Sequence, residues 1–161
     1  INPSDYSPQF QAGPEYNFRK TRWLMNVDEV LQSEQQKPME RGAGNTEDDD
    51  MASYYITYPN ETVFGYSAAR GYGFLDGKLF LGNYLISDQK DIAGDLLNNC
   101  KRHFGAYKYN GISKSTGRKQ YFWDFNKTVI ILSIDYDKES QEYDYDLAFY
   151  YRVQLKEIPF D

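Results

Sequence analysis

The chain has 161 residues, with 18 Lys and Arg against 24 Asp and Glu, a formal net charge of −6. Hydrophobic residues make up 40% of it and aromatic ones 17%, which excludes a largely disordered chain and suffices for one core without a disulfide or metal staple. The acidic balance speaks against nucleic acid as a partner, and no run approaches the roughly 20 apolar residues of a transmembrane helix.

Residues 1–21 carry Pro3, Pro8, Gly13 and Pro14 without a period and read as an N-terminal arm, pinned by Phe10, Tyr16 and Phe18. The opening INPSDYSPQF has neither a basic nor an apolar targeting region, so a mature or truncated product is expected. Asn26-Val27-Asp28-Glu29 spells a capping box, and Val27, Val30, Leu31 and Glu34 follow at helical spacing until Pro38. Trp23 and Leu24, just ahead of the cap, are placed to staple onto Val30 or Leu31. Residues 39–51, with Glu47, Asp48, Asp49 and Asp50 in a row, read as a solvated loop. Strands are expected over 52–58, ended by Pro59-Asn60, and over 63–75 with a break near Gly71 and Gly73. Asp76-Gly77 is a two-residue hairpin signal leading into a strand over 78–86.

A second helix is expected to start near Ser87 or Asp88, because Ile92, Leu96, Cys100 and Phe104 recur at intervals of four and Gly105 suits its end. A loop over 110–119, strands over 121–125 and 128–136, a turn over 137–142 and a closing strand over 143–155 complete the chain. The order is helix, three strands, helix, three strands. That predicts an α+β fold with two helices on one face of an antiparallel sheet, in one domain over 22–161. A tandem αβββ repeat with halves 22–87 and 88–156 accounts for the spacing of the helices.

The Trp23-to-Val30 helix entry, the Tyr72-x-Phe74-x-Asp76-Gly77-Lys78-Leu79 hairpin, the Leu97…Phe104-Gly105 helix end and the Trp123…Thr128-x-Ile130 strand pair carry a resemblance over residues 18–152. Their order resembles small exported bacterial proteins, often lipoproteins of unknown function. The plan is similar to the beta-lactamase-inhibitor-protein-like and SmpA/OmlA-like folds. These motifs are a cap, a turn, a helix stop and packing aromatics, so the resemblance implies a periplasmic or envelope setting and no catalytic residue or cofactor.

Candidate chemistry is sparse. Cys100 and His103 lie three apart on one helix face, but Cys100 continues the apolar stripe and reads as a small core residue. One Cys and one His in the whole chain leave a zinc site or a Ser-His-Asp triad without parts. Asp135-x-Asp137-x-Glu139 opens like a calcium loop, yet Ser140 stands where that loop needs Gly and Asp146 where it needs Glu. Asp135, Asp137, Asp144 and Asp146 are the weak candidates for a hard cation across a hairpin, with Asp48-Asp49-Asp50 a second set. Asp124, between Trp123 and Phe125, is the acid with the most apolar neighbours and the nearest to a hydrolase carboxylate. The glycines form no phosphate-binding loop.

Aromatic residues fall on both alternations of the expected strands. One sheet face is core, and the other is expected to expose Tyr121, Trp123, Tyr143, Tyr145 and Tyr151 beside acids, as a binding surface. The function expected is a non-enzymatic, exported bacterial domain that binds another protein through this aromatic and acidic face, with carbohydrate as the second partner class. The alternatives are a cytosolic, acidic immunity-type protein that neutralises a basic toxin, and a carboxylate-based glycoside hydrolase.

Overall fold

The computed structural model describes residue 10, residues 16–43 and residues 52–152. The arm apart from Phe10 and 16–21, the acidic run Glu47–Asp50 and the end of the expected closing strand lie outside the described residues. Among the described residues the architecture is mixed α and β, with two helices and one eight-stranded antiparallel sheet. The elements in chain order are α1 (Val27–Glu34), β1 (Glu40–Ala43), β2 (Tyr54–Val63), β3 (Tyr66–Leu75), β4 (Lys78–Asp88), α2 (Ala93–Phe104), β5 (Tyr109–Ile112), β6 (Lys119–Asp124), β7 (Thr128–Asp137) and β8 (Glu142–Tyr151). Their order across the sheet is β1-β2-β3-β4-β8-β7-β6-β5. Each helix therefore precedes a four-stranded meander, and the meanders join at β4 and β8, which stay paired from Leu81 with Tyr150 to Asp88 with Tyr143.

The expected three strands per helix become four. The two that the pattern misses, β1 (ERGA) and β5 (YNGI), are the outermost strands of the sheet, four residues long and almost wholly exposed. Neither side of such a strand faces the core, so no apolar alternation marks it. Two other boundaries also move. β2 runs through Pro59-Asn60 on a bulge between Tyr58 and Glu61, with Asn60 at φ 60°. β4 persists to Asp88 because β8 pairs it that far, so α2 begins at Ala93, where the Asp91 side chain accepts the Ala93 N–H at 3.0 Å.

The capping box forms as its residues dictate: Asn26 accepts the Glu29 N–H at 2.8 Å, and Glu29 accepts the Asn26 N–H at 3.1 Å. Asp76 and Gly77 both take positive φ, 51° and 73°, the mirror-image turn whose twist matches the β3–β4 hairpin. Trp23 shares the main core cluster with Val30 of α1, and its indole N–H donates to Thr128 of β7 at 2.9 Å, tying the helix entry to the second meander.

The main core is one cluster that includes Val30 of α1, Leu96, Cys100 and Phe104 of α2, and one alternation of strand residues: Ile56, Tyr72, Tyr84, Tyr145, Leu147, Phe149, Ile130, Leu132 and Trp123 among them. We call this the core face of the sheet. Phe10 and Phe18, expected as pins, are fully buried in it. Phe18 lies over Gly82, where an added Cβ would stand 2.1 Å from its ring, so glycine is required by that close approach.

Candidate functional site

Strand register decides which side chains share a surface. Tyr121, Trp123, Tyr145 and Leu147 belong to the alternation buried in the main core, and Tyr143 and Tyr151 pack against it half-buried. The five rings expected on an exposed binding face therefore sit on the core face, which corrects that expectation: Tyr121, Trp123 and Tyr145 are 7%, 1% and 1% exposed. The Trp123 indole N–H donates to the Gly105 carbonyl at 2.8 Å, and the Tyr145 hydroxyl accepts from the Ile92 N–H at 2.9 Å, so both polar ends are used to hold α2. Burial pushes the Tyr145 hydroxyl up to about 12. With rings on both alternations, sequence has no way to choose the covered one, and a one-residue difference exchanges the faces.

The second face carries the acids. Its rows run straight across the strands: Leu85, Asp146 and Ser133 in one, Ser87, Asp144 and Asp135 in the next. Toward the other end of the strands the same face is apolar, with Leu81 and Ala148 in one small buried cluster and Phe122, Val129 and Ile131 in another. The acidic end forms a hollow of about 270 Å³ whose lining includes Leu85, Ser87, Arg118, Asp135, Asp144 and Asp146.

The contacts of the acids lining the hollow include a hydroxyl, an amide and a distant guanidinium. Ser87 Oγ donates to Asp144 Oδ1 at 2.7 Å, Asn83 Nδ2 donates to Asp146 Oδ1 at 3.1 Å, and Arg118 Nε stands 3.7 Å from Asp135 Oδ2. Asp135 and Asp144 face each other directly across β7 and β8, an arrangement of like charges that weakens a sheet. Three carboxylates and one guanidinium line the hollow, and the half-exposed Leu85 supplies an aliphatic wall. The arrangement suits an organic cation with an apolar stem better than a metal. Among the described residues no three His, Cys, Asp or Glu side chains are placed to hold a metal ion. Asp137, the fourth cation candidate, closes the β7–β8 turn by accepting the Glu139 N–H at 2.9 Å, and that bond holds its carboxyl below the usual range.

The other candidates take structural places. Cys100 is fully buried and burial pushes its thiol up, which leaves no nucleophile. His103 lies with its ring 5.6 Å from that of Phe10 and 5.1 Å from that of Phe64; burial, then the neighbouring Arg102, lowers its pKa. Asp124 is held by Lys108 Nζ at 3.3 Å and by Arg152, so it is a paired acid and not a lone one in apolar surroundings.

One polar cluster escaped the sequence reading. Glu34 of α1 is buried against Arg70 of β3, with Arg70 Nη2 3.4 Å from Glu34 Oε2 and the Tyr72 hydroxyl donating to Glu34. Arg70 also pairs with Glu61, donates to Gln36 at 3.0 Å and lies 4.6 Å from the centre of the Tyr58 ring. The available signal was an acid, Glu34, standing on the same helical stripe as Val27, Val30 and Leu31; such a residue calls for a buried cation. The cluster joins α1 to the sheet.

No family model, no curated protein and no solved structure matches this chain.

Proposed function

We propose that this protein is a non-enzymatic binding domain whose second sheet face receives a cationic side chain, lysine or arginine, presented by a partner protein. The observation that carries the reading is the direct pairing of Asp135 with Asp144, beside Asp146, at the rim of a hollow with an aliphatic wall. Two carboxylates held face to face cost stability, and a guanidinium or ammonium group between them would offset that cost. The Leu85 side chain would cover the stem of the same residue. The five rings expected there lie on the core alternation, Tyr145 reaching the lining of the hollow from that side, while the acids expected beside them belong to the second face.

We place the domain in the exported, periplasmic or envelope-associated class on the strength of the helix-entry, hairpin and helix-end motifs. In this reading both helices cover the core face, and the two helix-and-meander halves form a tandem pair about the β4–β8 seam. Joint membership of Val30, Leu96, Cys100 and Phe104 in one cluster supports it. The same hollow would serve a cytosolic protein that neutralises a basic toxin.

A labelled penta-arginine peptide is the probe, titrated by fluorescence anisotropy at low and high salt. The expected result is binding that weakens with salt and is lost in Asp144→Asn/Asp146→Asn, while the thermal midpoint of that variant holds. Equal binding by the variant would sink the reading. Pull-downs from envelope and cytosolic fractions, with the same variant as control, separate the exported setting from the cytosolic one.

A further inference from the structure

The basic residues of this acidic chain are not spread evenly. Between Asp95 and Asp124 there is no acid at all, while Lys101, Arg102, Lys108, Lys114, Arg118 and Lys119 all fall in that stretch. The stretch comprises the end of α2, β5 and the start of β6, so the fold gathers the cations at one edge of the sheet.

Among the described residues that edge is unpaired: β5 is the last strand and pairs with β6 alone, in antiparallel register from Tyr109 with Phe122 to Ile112 with Lys119. The Ser113 N–H donates to the Arg118 carbonyl at 2.9 Å. Backbone groups alternate in direction along an antiparallel strand, so those of Gly111 turn onto β6 with Ser113, and those of Asn110 and Ile112 face outward. Proteins commonly blunt such an edge by keeping it short, by lysines, or by a proline or bulge. β5 is only four residues long and flanked by lysines, yet it carries no proline, its four pairs run without a register shift, and it presents Ile112 and Tyr109 at 65% and 41% exposure. Lys108 lies along the Tyr109 ring, 5.3 Å from its centre, and Lys119 along the Tyr121 ring at 5.5 Å, which keeps charge close to the strand.

We infer that β5 is a strand-addition site for an extended acidic segment of another protein, which pairs with the outward backbone groups of Asn110 and Ile112 and sets its carboxylates among the lysines of the edge. Charge selects the occupant. A second copy docking β5 on β5 brings cations onto cations, whereas an acidic strand gains both backbone hydrogen bonds and ion pairs. The site adjoins the carboxylate hollow, whose Arg118 belongs to the same basic stretch, and takes a ligand of opposite charge.

The test uses a fluorescein-labelled peptide of alternating Glu and Val, its Lys-Val counterpart, and inorganic polyphosphate as a competitor without a backbone. The expected result is binding of the Glu-Val peptide alone of the two peptides, weakened by about tenfold or more in Ile112→Pro, which removes an outward N–H, and in Lys114→Glu/Lys119→Glu. Saturating peptide is also expected to slow amide hydrogen exchange at Asn110 and Ile112 in the unaltered protein. Unslowed exchange at those two amides overturns the proposal, whatever the variants do, and this reading stands even if Ile112→Pro fails to fold. Polyphosphate that displaces the peptide completely, with Ile112→Pro binding as well as the original, also overturns it and leaves a simple polyanion patch. Asp144→Asn/Asp146→Asn, which breaks the hollow, is expected to leave peptide binding unchanged.

Discussion

The two faces of the sheet are built from alternate residues of the same strands, yet they do different work. Trp123 and Tyr145 point into the core, and their polar ends fasten α2. Asp144 and Asp146, the immediate neighbours of Tyr145, point the other way and meet other polar groups: Asp135 across the strand pair, Ser87 and Asn83 from β4. On the core face these contacts bury rings and satisfy their polar ends; on the acidic end of the second face, the facing Asp135 and Asp144 work against the sheet. Like charges opposed across a strand pair are the feature on which the proposed binding role rests.

Substitutions on alternate residues put numbers on that contrast. Trp123→Ala removes the largest of the fully buried side chains and is expected to cost about 4 kcal/mol in denaturant unfolding. Tyr145→Ala, also from the core face, is expected to cost about 3 kcal/mol; a loss near zero would mean that the ring is on the exposed side after all. Glu34→Ala removes the buried carboxylate shared by Arg70 and Arg19, leaving both to Glu61, and is expected to cost about 3 kcal/mol, more than the double change Glu34→Gln/Arg70→Met, which removes both charges of the buried pair. Gly82→Ala drives a methyl into the Phe18 ring, with an expected loss of about 2 kcal/mol.

The second face should respond in the opposite direction. Asp144→Asn relieves the facing pair and is expected to raise stability by roughly 0.5 kcal/mol at low salt, with the gain shrinking as salt is added. A destabilised Asp144→Asn would remove the argument for a ligand-directed pair. The smallest effect expected is a pH dependence from His103. Burial and Arg102 hold its pKa below the ordinary 6.5, so the folded state disfavours the imidazolium. Its contribution is full above pH 6.5 and is lost as the pH falls through the folded value; His103→Gln should flatten the thermal midpoint over that window.

What could be read in the residues beforehand follows the range of the interaction. The capping box at Asn26 and Glu29, the Asp76-Gly77 turn and the stripe through Leu96, Cys100 and Phe104 each depend on neighbours within a few positions, and all three formed. The start of α2 was misplaced because Ser87 and Asp88 are held in β4 by β8, more than fifty residues further on. The edge strands β1 and β5 were missed because pairing on one side alone imposes no pattern on their side chains. Arg70 was passed over since nothing near it in the chain announces Glu34 as its partner.

By itself, then, the sequence determined an α+β chain with its helix caps and its tightest hairpin, and it confined six cations to one stretch between Asp95 and Asp124. Those are matters of local hydrogen bonding and of composition. Only the tertiary structure decided which alternation of each strand is buried, that β4 and β8 form the seam, and that Asp135 faces Asp144. Strand pairing between distant segments sets parity, and a strand with rings on both sides carries no local preference for either face.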